Sequence, residues 1–145
     1  MKPINIVLDT NVLVSALRSQ KGASYKLLTL IDDGDFLPNI SVPLFLEYEA
    51  VTMRDCLKLP LKKSDILDIL NYLAQISSKR EIFFLWRPYL KDPKDDLVLE
   101  VAVESQSKII VSYNKKDFVG VDKFGIKVLT PKEFLKKRGL LKWAH

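Results

Sequence analysis

Apolar residues in this chain fall either into short dense runs or into stretches where they recur every third or fourth position, and the two rhythms mark out its elements. The runs Ile4 to Leu8 and Ile109 to Val111 show no sustained alternation, the pattern of strands buried on both faces of a parallel sheet. Helical spacing predicts a short helix from Asn11 to Arg18, a second from Ala23 to Ile31 ended by Asp32-Asp33-Gly34, and a brief strand over Phe36 to Ile40. Ser41 is placed to cap a helix from Val42 to Leu57, Pro60 ends that segment, and Lys62 to Ile76 forms another amphipathic helix. A short strand is expected over Glu81 to Trp86. Asp92 suits an N-cap, Pro93 the first helical position and Asp95 the third, opening a helix that runs to Ser105. Strands over Lys108 to Val111 and Ile126 to Leu129 follow, and Thr130-Pro131-Lys132-Glu133 reads as a capping box for a last short helix closed by Gly139. The tail from Leu140 to His145, with Trp143, is either a docking segment or a frayed end.

Strands separated by helices predict an α/β fold with a mainly parallel sheet and helices on both faces. At 145 residues one domain spanning 1–145 is expected, large enough to bury about two-thirds of its unfolded surface. The single Cys56 excludes an internal disulfide, and the lone His145 excludes an intramolecular zinc site of the usual Cys/His kind. No stretch approaches the roughly 20 apolar residues of a membrane span. The amino-terminal run is too short for a signal-peptide core and meets Asp9 at once, so the cytoplasm is the expected compartment. The net charge of +5 is compatible with a polyanionic partner, and equally with lysines that keep helix faces soluble.

Chemistry concentrates where the buried-type strands end. Ile4 to Leu8 runs into Asp9-Thr10-Asn11, and Ile109 to Val111 runs into Ser112-Tyr113-Asn114-Lys115-Lys116-Asp117-Phe118. Parallel sheets bind ligands beyond the carboxyl ends of their strands, so two strands aiming oxygen donors at one edge point to a hard cation such as Mg²⁺ or Mn²⁺. Each acid also has an ordinary structural explanation. Asp9 could cap the next helix, with Thr10 and Asn11 capping or holding it; Asp92 and Asp95 are accounted for as cap and first-turn charge. Asp96, Glu100 and Glu104 fit a solvent stripe, although Asp96 also flanks the apolar face begun by Leu97. Glu47 and Glu49 lie roughly 200° apart on a helix, so one of them faces solvent and spacing does not choose which.

In this order the stretches Ile6-Val7-Leu8-Asp9-Thr10-Asn11-Val12, Leu46-Glu47-Tyr48-Glu49-Ala50-Val51, Asp92-Pro93-Lys94-Asp95-Asp96-Leu97 on to Ala102, and Ile109 through Ser112-Tyr113-Asn114 to Asp117-Phe118 resemble the PIN domain family. The wording is most similar to the toxin components of type II toxin-antitoxin systems, the VapC-like ribonucleases. The resemblance implies a three-layer α/β/α sandwich around a central, mainly parallel sheet of four to five strands. It favours Glu47 over Glu49 and Asp96 over Asp95, implying Asp9, Glu47, Asp96 and Asp117 as the catalytic and metal-holding set. Thr10, Asn11, Ser112 and Asn114 would support them. Arg18, Arg54, Lys115 and Lys116 are the expected grips on a nucleic-acid backbone. Many relatives carry Gly-Asp or Arg-Asp where this chain has Tyr113-Asn114, so Asp117 carries more of the charge. The implied activity is Mg²⁺- or Mn²⁺-dependent hydrolysis of single-stranded RNA, with a cognate antitoxin and a homodimer as implied partners. A PIN-fold binding module with little or no catalysis is the alternative; an aspartyl phosphatase fits less well, because position 11 is Asn rather than a second Asp.

Overall fold

A computed structural model describes residues 3–85 and 87–140. Within them five parallel strands form one sheet in the order β3-β2-β1-β4-β5, with six α-helices around it. Strand β1 (Ile4–Leu8) is central. Its Ile6, Val7 and Leu8 are at most 1% exposed, which is why no alternation shows in the sequence. Helices α1 (Thr10–Arg18) and α2 (Ala23–Thr29) lead to β2 (Phe36–Ile40), and α3 (Val42–Arg54) and α4 (Lys63–Ile76) lead to β3 (Ser78–Lys79). The chain then returns across the sheet through α5 (Pro93–Glu104) to place β4 (Ile109–Val111) on the other side of β1, followed by β5 (Lys127–Leu129) and α6 (Pro131–Lys137). This is the expected α/β sandwich. No helix among the described residues is long and apolar enough to cross a membrane.

Local signals explain most boundaries. Ser41 Oγ accepts from Leu44 N at 3.2 Å, Asp92 accepts from Lys94 N at 2.9 Å, and Thr130 and Glu133 complete their capping box. Gly34 turns the chain at φ 81°, a conformation a Cβ would strain. Two helices stop short of the expected ends: the last turns near Ile31–Asp33 and Cys56–Lys58 tighten to 3-10 geometry, so α2 closes at Thr29 and α3 at Arg54.

The strand expected over Glu81 to Trp86 is displaced upstream. Ser78 and Lys79 pair with Asn39 and Ile40, and Arg80 N donates to Ile40 O at 2.7 Å. There β2 ends, because Ser41 already caps α3, so residues 81–85 have no strand left to pair with. Phe83, Phe84 and Leu85 are instead exposed by 77, 67 and 63%. Trp86 and the tail beyond Leu140, including Trp143 and His145, lie outside the described residues.

Tyr48 joins α3 to the end of β1. Its ring is buried and its hydroxyl donates to the Leu8 carbonyl oxygen, the last of the strand. Burial, with the Asp9 carboxylate nearby, pushes the phenol's pKa up and keeps it a donor. Tyr48→Phe is expected to lower the unfolding free energy by about 1–3 kcal/mol, the cost of a buried acceptor left unpaired, as read by denaturant titration.

Candidate acidic site

The strand order reverses between β1 and β4, whose register pairs Leu8 with Val111. Chains leaving two neighbouring strands in different directions open a crevice at their carboxyl ends, the usual ligand site of open parallel sheets. Asp9 N donates to Val111 O at 2.9 Å, one residue past the strand, and Asp9 is at the same time the N-cap of α1. The cap and site readings of this residue are thus compatible. Its Oδ1 accepts from Thr10 N at 2.8 Å and its Oδ2 from Ser112 Oγ at 2.7 Å. Burial raises the Asp9 pKa; the hydrogen bonds from Ser112 and Thr10 oppose the rise, and the charges of Asp117 and Glu47 add to it.

Ser112 organises the β4 side. Besides donating to Asp9, its Oγ accepts from Asn114 N at 3.0 Å and is 3.4 Å from Asn11 Nδ2, while Asn11 Oδ1 faces Tyr113 N at 3.4 Å. Thr10 acts through its backbone. Asn114 O then accepts from Asp117 N at 3.0 Å, winding Lys115–Phe118 into a 3-10 turn. Phe118 is buried as the anchor of that turn, and Asp117 is left exposed on the cleft wall.

The resulting cleft has a volume of about 590 Å³. Asp9, Glu47, Asp95 and Asp117 line it together with Asp55 and Asp92, against the three cations Arg18, Arg54 and Lys94. Glu47 is in the wall and Glu49 is not. Asp95 feels the crowding most: burial, and then the charges of Asp9, Asp92, Asp117 and Asp96, push its pKa up to about 7.

Asp96, expected in the site, belongs elsewhere. It is 1% exposed, its Oδ1 accepts from Leu90 N at 2.9 Å, and its Oδ2 is buried with no hydrogen-bond partner among the described residues. One turn later Glu100, 2% exposed, takes the Arg87 guanidinium in a bidentate pair at 2.9 and 2.8 Å. A residue step of roughly 100° separates the two roles: Asp92 and Asp95 face the cleft, while Asp96 and Glu100 secure the Arg87–Leu90 segment. Neither is part of a solvent stripe.

The expected cationic grips also divide. Arg18 and Arg54 line the cleft, Arg54 Nε lying 3.3 Å from Asp55. Lys115 does not: its Nζ is 2.6 Å from Glu133 Oε1 at the start of α6. Lys116 lines an adjoining hollow with Tyr89, Lys91 and Val119 that shares Asp92, Asp95 and Asp117 with the cleft. Lys94, which sequence reasoning passed over, reaches the cleft from the same turn as Asp92 and Asp95, a position its place between them could have signalled. Among the described residues, no three acidic, histidine or cysteine side chains stand close enough to hold one ion at once.

A five-stranded parallel α/β sandwich with an acidic cleft where its strand order reverses is the frame of a nuclease-type fold. The PIN domain family model matches residues 5–116, and the chain belongs to that family, whose members are generally nucleases. It is also 29% identical to the uncharacterized protein MJ1680 of Methanocaldococcus jannaschii, over 92% of this chain and 91% of that protein.

In chelator, Asp95 holds its proton up to about pH 7 when folded but releases it near 3.8 when unfolded, so its contribution to stability is present below 3.8 and lost as pH rises to about 7. Asp95→Asn does not titrate. The stability of this variant relative to wild type is therefore expected to grow with pH across that window in a urea-unfolding series, and a flat difference would remove Asp95 from the acidic field.

Proposed function

We propose that the protein is a divalent-metal-dependent endoribonuclease acting on single-stranded RNA. The observation that carries this reading is the convergence of carboxylates from four elements, Asp9, Glu47, Asp95 and Asp117, on one cleft at the switch point of the sheet. Burial first, and then the neighbouring like charges, raise the Asp9 and Asp95 pKa values; a bound hard cation would offset both, and all-oxygen donors suit Mg²⁺ or Mn²⁺. Asp9, Asp95 and Asp117, with Glu47 opposite, would supply the donors once drawn closer together than they stand here, and each Asp9 oxygen keeps a second lone pair beyond its present hydrogen bond. When bound, such an ion supplies a Lewis acid that lowers the pKa of its water and neutralises charge developing on a phosphodiester.

The chain's own residues do the rest. Ser112 and Thr10 N fix the direction of the Asp9 carboxylate, Asn11 and Asn114 hold Ser112, and Arg18, Arg54 and Lys94 are placed to bind backbone phosphates beside the acids. No histidine is described near the cleft, so proton transfer falls to carboxylates and water. Toxin action, an antitoxin segment over the acidic cleft and homodimerisation are finer parts of this proposal, carried by the family resemblance.

A second reading, a PIN-fold module that binds RNA or a protein partner with little or no catalysis, is favoured by the neutral amide of Asn114 on the cleft wall where many relatives carry Asp.

With Mg²⁺ or Mn²⁺ the purified protein is expected to cleave single-stranded RNA, and not in chelator. Asp9→Asn and Asp95→Asn should each reduce the rate by about 10²-fold or more while remaining folded. Ser112→Ala should cost about 10–100-fold in activity or metal affinity. Asp96→Ala separates position from chemistry: it should lower stability by about 1–3 kcal/mol by orphaning Leu90 N. Mn²⁺ at about 100 times its Kd should add about 2.7 kcal/mol of stability, visible as a higher Tm. RNA binding without metal, and no cleavage over long incubation, would instead select the binding module.

A further inference from the structure

The acidic cleft leaves a question of charge. Six carboxylates against three cations make its wall net negative by three, which repels a polyanion until a cation is bound. The chain nevertheless carries a net +5. Part of that excess gathers at the opposite, amino-terminal edge of the sheet, around a hollow of about 570 Å³ between β1, β4, β5 and α6. Lys108, Lys127, Lys137 and Arg138 line it, and no carboxylate does.

Arg138 is committed to Asp35 through bonds of 2.8 and 2.9 Å. The three lysines have no ion pair among the described residues, and all are exposed. The backbone sets them side by side. Lys127 N donates to Lys108 O at 2.8 Å, which aligns the entries of β4 and β5, and Lys137 closes α6, where a cation is favoured by the helix dipole.

We propose that this hollow, through Lys108, Lys127 and Lys137, binds the phosphate backbone of the RNA strand whose other portion lies in the acidic cleft. The inference rests on RNA being the ligand of that cleft. Strand β1 joins the two places: Ile4 and Asn5 line the hollow, and Asp9 lines the cleft. At about 3.3 Å per residue they are about 15 Å apart along the strand, so an RNA spanning the depth of the sheet reaches both. Division of labour follows from charge: the basic edge supplies attraction, and the acidic edge is kept for the cation and the scissile phosphate. Three phosphate contacts on a single strand give a salt slope of about −2.

The test is fluorescence anisotropy of single-stranded RNA in chelator across a salt series, with the wild type, the triple variant Lys108→Ala, Lys127→Ala, Lys137→Ala, and the same three positions as Arg. For an RNA long enough to reach both edges, the Ala variant should bind more weakly at low salt with a slope shallower by about 2, and the Arg variant should bind as wild type. With Mn²⁺ replacing the chelator to neutralise the cleft, a non-cleavable 2′-O-methyl oligonucleotide that fills only the cleft should bind all three alike, and in chelator Asp9→Asn should keep the lysine-dependent binding of the long RNA. Unchanged affinity and slope in the Ala variant, an equal loss for short and long RNA, no RNA binding by the wild type, or preferential capture of a polyaspartate peptide would each overturn the proposal. Metal-dependent cleavage with lysine-independent binding overturns this inference alone, whereas lysine-dependent binding without cleavage overturns the nuclease reading and leaves this one standing.

Discussion

The hydrogen bonds that fasten Asp9 between β1 and β4 are the constraint around which the structure is arranged. A carboxylate only 8% exposed costs several kcal/mol to desolvate unless donors replace the lost water. Thr10 N and Ser112 Oγ are those donors, one from the start of α1 and one from the end of β4. The same bonds that offset the burial cost set the carboxylate's direction. They also tie together the two strands whose divergence makes the crevice, so stability and site geometry share one set of contacts.

Around that point the acids sort by what they face. Asp95, Asp117 and Glu47 share a cleft with Asp9, where burial and then like charge raise the pKa values of Asp9 and Asp95, the condition that the proposed cation would relieve. Asp96 and Glu100 instead turn inward on α5 and hold the Arg87–Leu90 segment by a backbone N–H and a guanidinium. One helix thus presents acids on two sides with opposite consequences. The cleft acids are strained by like charge, while Glu100 is satisfied by its partner and keeps the segment leading into Asp92 in place. At the far edge of the sheet the lysines around Lys127 gather the opposite charge, leaving the molecule polarised along its strands.

Much of this was legible in the sequence because it depends on neighbours close in the chain. The dense apolar runs announced β1 and β4, and the Ser41, Asp92 and Thr130 caps and the Gly34 turn fall where their side-chain chemistry requires. The acid-bearing ends of β1 and β4 meet because parallel strands deliver their carboxyl ends to one edge. The strand expected near Glu81 failed for a reason no local window holds: an edge strand needs a partner, and β2 had already turned into α3.

What the sequence by itself determined was therefore the elements other than β3, their caps and the Asp9 position, all governed by backbone propensity, burial period and residues a few places away. Only the tertiary structure decided that Asp95 rather than Asp96 faces the cleft, that Lys115 is taken by Glu133, and that Lys94 joins the wall. Adjacent residues on a helix differ by roughly 100°. Which of them meets the site depends on where that helix is rotated by packing against the sheet, a quantity set by contacts between segments far apart in the chain.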